Sequence, residues 1–90
     1  MVVVKFPALM KYYVENQSEF SIEASSVENL FDNILIRYPT LQSHLFDSKH
    51  QLRRHFQLFV NGVHIRELNG MQTKLNENDK IILTASAAGG

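Results

Sequence analysis

One segment of the chain has the periodicity of an amphipathic helix, and it constrains the fold more than any other feature. Its apolar residues recur at helical spacing on one face: Val27, Leu30, Phe31, Ile34, Leu35 and Tyr38. The preceding Ser25-Ser26-Val27-Glu28 fits a capping box, in which the Ser25 hydroxyl accepts the Glu28 amide and the Glu28 side chain reaches back. Pro39 predicts the end of the helix, because the residue before a proline avoids the helical conformation.

The segments before this helix show the alternation typical of strands. Apolar residues alternate with other residues over 2–6 and again over 19–23, where one face is polar. The polar stretch between them predicts a hairpin with its loop over residues 10–18. After the helix, residues 40–54 predict one or two helical turns followed by a polar loop.

Further strand signals follow toward the end of the chain. Residues 56–60 and 80–84 are rich in strand-forming side chains. Asn61-Gly62 predicts a type I′ hairpin turn, because both positions tolerate positive φ, and residues 63–65 then pair back. This order of elements predicts an α+β fold, with a mixed sheet of four to five strands and the main helix on one face. If the first and last strands lie side by side in the centre, the fold is a β-grasp.

Strand parity predicts which apolar residues face solvent, because successive side chains point to opposite sides of a sheet. The inward set is Val4, Phe6, Phe56, Leu58, Val60, Ile81 and Leu83. Val3, Phe59 and Ile82 then point outward, and on neighbouring strands they form an exposed apolar patch. Scattered apolar residues without a role are one interpretation. A partner surface is favoured, because monomers keep such patches small.

Composition excludes several classes of function. The 90 residues suffice for one domain, and nine basic residues balance nine acidic ones, so nothing predicts binding to nucleic acid or to an anionic membrane. The chain has no cysteine, which excludes disulfides and thiol catalysis. No apolar run approaches the roughly 20 residues that span a bilayer. The N-terminal segment is interpreted as a strand rather than a signal peptide, so the cytoplasm is the expected location.

Motifs of a conventional active site are missing. The histidines lack the i, i+4 spacing of ligands on one helix face, which predicts solvated loop residues rather than a metal site: His44, His50, His55 and His64. The serines at 25 and 26 have a capping role, and the glycines lie in turns and at the end of the sequence. The chain is therefore expected not to be an enzyme by itself, to bind no metal or cofactor, and to be a monomer when free.

A basic segment covers residues 49–55, with the sequence Lys-His-Gln-Leu-Arg-Arg-His. A solvated loop is the favoured interpretation. A docking surface for an acidic partner is the main alternative, and nucleic-acid binding is disfavoured because only Phe59 could serve as a stacking aromatic.

The sequence finishes with Ala85-Ser86-Ala87-Ala88-Gly89-Gly90, directly after the last predicted strand. We expect residues 1–84 to form the domain and residues 85–90 to be a flexible tail. Two glycines can pass through a narrow channel in conformations closed to other residues. A terminal carboxylate delivered in this way can react with ATP to form an acyl-adenylate, which a sulfur or amine nucleophile then attacks.

These features together resemble the ubiquitin-like sulfur carriers of the ThiS/MoaD family. The resemblance covers "VVVKFPALMKYY", "SSVENLFDNILIRYP", "LFVNGVHI" and "LNENDKIILTASAAGG". The longer stretch "LFDSKHQLRRHFQLFVNG" is similar to the CysO-like carriers of cysteine biosynthesis. Relatives often have a proline shortly before Gly-Gly, and this sequence has none. The difference affects which partner enzyme is expected to bind the tail.

The resemblance implies a ubiquitin-like β-grasp fold and a protein substrate rather than a catalyst. Gly90 would bear the carboxylate that an E1-like enzyme adenylates with ATP and Mg²⁺, and Gly89 would let it reach that active site. The resulting thiocarboxylate would donate sulfur to an acceptor enzyme making cysteine, molybdopterin, thiamine or a related metabolite. Partner contacts would come from five residues: Val3, Phe59, Ile82, Ala87 and Ala88.

Two alternatives to the carrier stay open at the level of the sequence. The first is a ubiquitin-like modifier conjugated through Gly90 to target lysines, which needs the same activated terminus. The second is a non-covalent β-grasp adaptor whose Gly-Gly is incidental. The carrier itself is also compatible with being the small non-catalytic subunit of a sulfur-transferring enzyme complex.

Overall fold

The first and last strands of the sheet lie side by side in its middle. A computed structural model describes residues 1–86, and in that part of the chain the strand order is β2-β1-β5-β3-β4. The strands are Val2–Lys5 (β1), Glu19–Ile22 (β2), Phe56–Val60 (β3), Val63–His64 (β4) and Lys80–Ala85 (β5). β1 and β5 are parallel, and the other neighbours are antiparallel. The predicted mixed sheet and its β-grasp arrangement are confirmed.

The main helix α1 (Val27–Arg37) packs on one face of this sheet, as the periodicity predicts. A 3-10 helix at Pro39–Leu41 and a short helix α2 (Gln42–Leu45) follow it. Further 3-10 helices lie at Ile65–Glu67, where residue 65 leaves the predicted strand, and at Gly70–Gln72.

The predicted loop over residues 10–18 is wrong in its first half. A 3-10 helix spans Ala8–Val14 and buries Met10 and Val14 against the core. Two apolar side chains within one short segment do not establish a helical period, so the sequence pattern predicts only a loop there. The 3-10 helix turns the side chains of Met10 and Val14 toward the core, where both are buried.

The parity of the strands is confirmed by the burial of their side chains. All seven residues predicted to point inward are buried. From the helix, Leu30 and Ile34 are fully buried against the same core. The Asn61-Gly62 turn has φ of 51° and 88°, the positive values that a type I′ turn needs. Among residues 1–86, no helix is long and apolar enough to cross a membrane.

The N-terminal cap of α1 lies one residue later than the sequence predicts. The hydroxyl of Ser26 accepts the backbone N–H of Asn29 at 3.0 Å, and Asn29 Oδ1 accepts the backbone N–H of Ser25 at 3.0 Å. The predicted pairing of Ser25 with Glu28 is therefore wrong. The Leu75 N–H donates to the Ser25 carbonyl and the Val27 N–H donates to the Thr73 carbonyl, which keeps the chain extended through Ser26 and delays the start of the helix.

This cap gives a direct test of the helix start. We expect Ser26→Ala to lower the free energy of unfolding by about 1 kcal/mol, because it removes the acceptor for the Asn29 amide. Ser25→Ala is the matched control and removes only a 3.4 Å side-chain contact, so its effect is expected to be a few tenths of a kcal/mol. Urea unfolding of both variants measures the difference. A larger loss for Ser25→Ala would contradict this cap.

Candidate functional site

The face of the sheet turned away from α1 carries two apolar side chains in direct contact range. Phe59 on β3 and Ile82 on β5 are cross-strand partners, and such pairs have Cβ atoms about 5 Å apart. Ile82 is 36% exposed and Phe59 is partly buried. The prediction that both point away from the core is confirmed, and we call this side of the sheet the outer face.

Val3 lies on the same outer face but does not extend the apolar pair directly. The parallel register of β1 and β5 places Val3 beside Lys80, and Lys5 beside Ile82. Val3 is therefore diagonal to Ile82, with a lysine at each of the other two corners. These four residues and Glu19 surround a shallow hollow of about 140 Å³. The patch is thus an apolar surface edged by two cations, which parity alone does not reveal because it does not give the register.

Phe59 is held in place by a histidine that the sequence pattern assigns to a solvated loop. The rings of Phe59 and His64 meet edge to face, with centroids 5.2 Å apart. His64 Nδ1 accepts the backbone N–H of Arg66 at 3.0 Å, so in the neutral ring the Nε2–H donates to Gln57 Oε1. Gln57 and His64 therefore position one side of the outer face. Strand alternation around the Asn61-Gly62 turn is the signal that could have found them.

Of the remaining histidines, His44 and His50 are exposed, as predicted, and His55 is half-buried, while all three rings pack on an aromatic neighbour. His44 packs on Tyr13 at 4.1 Å, His50 stacks on Phe46 at 5.1 Å, and His55 packs on Phe56 at 4.2 Å. Only Tyr13 and His44 are far apart in sequence, and these two rings meet only after folding. Within residues 1–86, no group of three or more His, Cys, Asp or Glu side chains could hold a metal ion.

The basic segment 49–55 divides into residues that hold the fold and residues that stay free. The Arg53 guanidinium donates twice to the Ser43 carbonyl, at 3.2 and 3.0 Å, and this fixes the loop to α2. Lys49 and Arg54 are exposed, and neither side chain has a partner among the described residues. The segment is therefore partly structural, and only these two cations are available to a partner.

Strand β5 is paired with β3 up to its last residue, Ala85. Ala85 is the register partner of Phe56, one residue beyond the predicted strand, and the Ser86 N–H donates to the His55 carbonyl at 2.7 Å. The four other predicted tail residues, Ala87, Ala88, Gly89 and Gly90, lie outside the described residues.

The fold and this face define a class of ubiquitin-like protein in which the central strand leads into a Gly-Gly end. The model of the ThiS family matches residues 4–90. The chain belongs to the ThiS family, which is part of the ThiS/MoaD group of ubiquitin-like sulfur carriers. No curated protein sequence gives a significant match.

Solved structures with the same fold include carriers and modifiers. A chain of the BexX/CysO complex from Amycolatopsis orientalis is 19% identical, with a TM-score of 0.88 and full coverage of both chains. CysO from Mycobacterium tuberculosis is also 19% identical, with a TM-score of 0.87, covering 97% of this chain and 100% of that one. Small archaeal modifier protein 1 from Methanosarcina acetivorans is 26% identical, with a TM-score of 0.83, covering 99% and 95%.

Proposed function

We propose that this chain carries sulfur on the carboxyl group of Gly90 and acts as a protein substrate rather than as a catalyst. The observation that carries the proposal is the family match, which extends to residue 90 and so includes the Gly89-Gly90 pair. The fold supports it, because β5 is paired through Ala85 and the Ser86 N–H bonds the His55 carbonyl, so only residues 87–90 follow the anchored end of the strand. Four further residues can reach at most about 14 Å, enough to enter the active site of a docked enzyme.

The chemistry divides into two steps on the Gly90 carboxylate. One carboxylate oxygen attacks the α-phosphorus of ATP, forming an acyl-adenylate and releasing pyrophosphate. A hydrosulfide ion then attacks the carbonyl carbon, and AMP leaves with the carbon–oxygen electron pair. The product is a thiocarboxylate, in which sulfur has replaced one oxygen. ATP and Mg²⁺ belong to the activating enzyme, and this chain supplies the terminus, the reach and a docking face.

The outer face is the proposed docking surface for the activating enzyme. The Phe59–Ile82 pair offers an apolar centre, and Val3 lies at its edge. Lys5 and Lys80 lie beside it with Glu19 opposite Lys5, and the net positive charge of this edge favours a partner whose apolar contact is rimmed by carboxylates. We include Ala87 and Ala88 in this contact, because small side chains allow the tail to pass close to the partner.

The thiocarboxylate then donates its sulfur to an acceptor enzyme in the synthesis of cysteine or a sulfur-containing cofactor.

Intact mass measurement tests the proposal directly. The purified chain is incubated with ATP, Mg²⁺, a sulfide source and an E1-like, ATP-dependent activating enzyme. The expected product is heavier by one sulfur minus one oxygen, and fragmentation places the change on Gly90. Omitting ATP is the control and is expected to leave the mass unchanged. If several such enzymes form neither the adenylate nor the sulfur-exchanged product, the proposal is wrong.

A protein modifier is the second candidate, and the 26% identity to small archaeal modifier protein 1 favours it as an additional role. The same acyl-adenylate would then be attacked by a lysine amine, with AMP leaving and an isopeptide bond forming. Denaturing gels of cell extract separate the two outcomes. Conjugates appear as higher-mass bands that contain this chain, whereas a carrier used only for sulfur gives a single band.

A further inference from the structure

A hollow of about 300 Å³ opens on the helical side of the molecule, on the layer opposite the outer face. Its floor is apolar and is formed by Phe31, Leu35, Phe46, Leu52 and Met71. The rings of Phe31 and Phe46 meet edge to face with centroids 5.3 Å apart. We call this hollow the helix-side pocket. Its size is at the lower end of the range of ligand sites, about 300–1,000 Å³, which suits one long side chain better than a cofactor.

One wall of the helix-side pocket is a loop whose conformation is fixed by hydrogen bonds. Asp47 Oδ1 accepts the backbone N–H groups of Lys49 and Gln51 at 2.9 and 3.0 Å, and the Asp47 N–H donates to the Gln51 carbonyl. The His50 ring stacks on Phe46 with an angle of 15° between the planes, and Gln42 Nε2 donates to its Nδ1 at 2.9 Å. The wall is therefore in place before any ligand arrives.

Two carboxylates stand at the opening of the helix-side pocket. Glu28 and Asp32 are one helical turn apart on α1, and both are exposed. Neither side chain has a hydrogen bond or ion pair within residues 1–86. Because Ser26 and Asn29 cap the helix, Glu28 is not used in the predicted capping box and its charge is left at the pocket.

We propose that the helix-side pocket binds an arginine side chain of a partner protein. The aliphatic stem lies on the apolar floor, and the guanidinium reaches the carboxylates of Glu28 and Asp32. The exposed His50 ring, stacked on Phe46, offers a flat surface on which the planar guanidinium can lie. Arginine fits better than lysine, because its flat fork stacks on rings and bonds carboxylates at the same time. The pocket and the outer face lie on opposite layers, so one partner can be held while another uses the outer face.

Two capped dipeptides test this pocket in the full-length chain. Acetyl-Leu-Arg-amide carries the proposed group, and acetyl-Leu-citrulline-amide replaces the guanidinium by a neutral urea of the same shape. In a titration followed by ¹⁵N–¹H NMR, the arginine peptide is expected to shift the amide signals of Leu35, Gln51 and Leu52 and to saturate. We expect it to bind about tenfold more tightly than the citrulline peptide, a difference of about 1.4 kcal/mol. Equal affinity for the two peptides overturns the proposal, as does the absence of saturable shifts or a response confined to the outer face.

A charge-neutralising variant identifies the groups responsible. Glu28→Gln with Asp32→Asn is expected to abolish the preference for arginine over citrulline. Glu15→Gln with Glu67→Gln removes the same charge from exposed positions outside the pocket and is expected to keep the preference. Retention of the preference in the first double variant overturns the proposal.

Free L-arginine distinguishes a partner segment from a small metabolite. It lacks the leucine side chain and the capping amides, while its α-ammonium and α-carboxylate leave its net charge equal to that of the peptide. It is therefore expected to bind more weakly than the capped peptide. Equal or tighter binding of the free amino acid would overturn the assignment to a protein partner. The titrations use no ATP or activating enzyme, so they can fail or succeed independently of the sulfur-carrier chemistry.

Discussion

Deleting Gly90 is expected to lower the rate of adenylation by at least about 100-fold. The deletion shifts the reacting carboxylate by about 3.5 Å. A misplacement of about 1 Å in an active site can already cost about 100-fold in rate. Exchange of labelled pyrophosphate into ATP, with the activating enzyme that accepts the full chain, measures this loss. The temperature of unfolding is expected to stay the same, because residue 90 lies beyond the last described hydrogen bond, that of Ser86 to His55.

Adding one alanine after Gly90 is the matched control for reach and identity of the terminus. It moves the carboxylate by a similar distance in the opposite direction and masks Gly90 in a peptide bond. We expect a comparable loss of pyrophosphate exchange. Full activity of either variant would show that the terminal carboxylate is not the reactive group, and would favour a non-covalent adaptor.

Replacing Ile82 by glutamate is expected to raise the KM for the activating enzyme by about 30-fold or more. A central apolar contact of an interface is worth about 2 kcal/mol, and a glutamate at this position would also repel the carboxylates proposed for the partner. The folded chain should tolerate the change, because Ile82 is 36% exposed and its register partner on β1 is Lys5. Steady-state pyrophosphate exchange at varied carrier concentration measures the KM.

Ile36→Glu is the matched control for this substitution. Ile36 is 79% exposed on α1, so the same residue type is replaced on the opposite layer of the molecule. We expect its KM to stay within about twofold of the unmodified chain, in line with the small effects of most surface substitutions. Equal effects of the two variants, or no effect of Ile82→Glu, would rule out the outer face as the docking surface.

The elements of the fold that depend on nearby residues are predictable from the sequence. The stripe of α1 places Leu30 and Ile34 on one face through the 3.6-residue period alone. The two-residue period separates Phe59 and Ile82 from the buried residues beside them. The Asn61-Gly62 turn needs only the tolerance of these two residues for positive φ. Each of these features has its cause within a few residues of chain.

Features that depend on distant partners are not predictable in this way. The cap of α1 moved by one residue because Ser25 and Val27 bond the backbone at 73–75, which no local pattern reveals. Arg53 belongs to the fold rather than to a docking surface, because folding brings the Ser43 carbonyl to its guanidinium. The lysines around Ile82 follow from the parallel register of β1 with β5.

The sequence by itself determined the β-grasp order of elements, the apolar outer positions and the Gly-Gly end that carries the proposed chemistry. These follow from periodicity, turn residues and residue size, all of which act locally along the chain. Only the tertiary structure decided the register that edges the outer face with Lys5 and Lys80, and the helix-side pocket with Glu28 left at its opening. That pocket joins residues from α1, the loop after α2 and Met71, and such a surface exists only once the core has brought distant segments together.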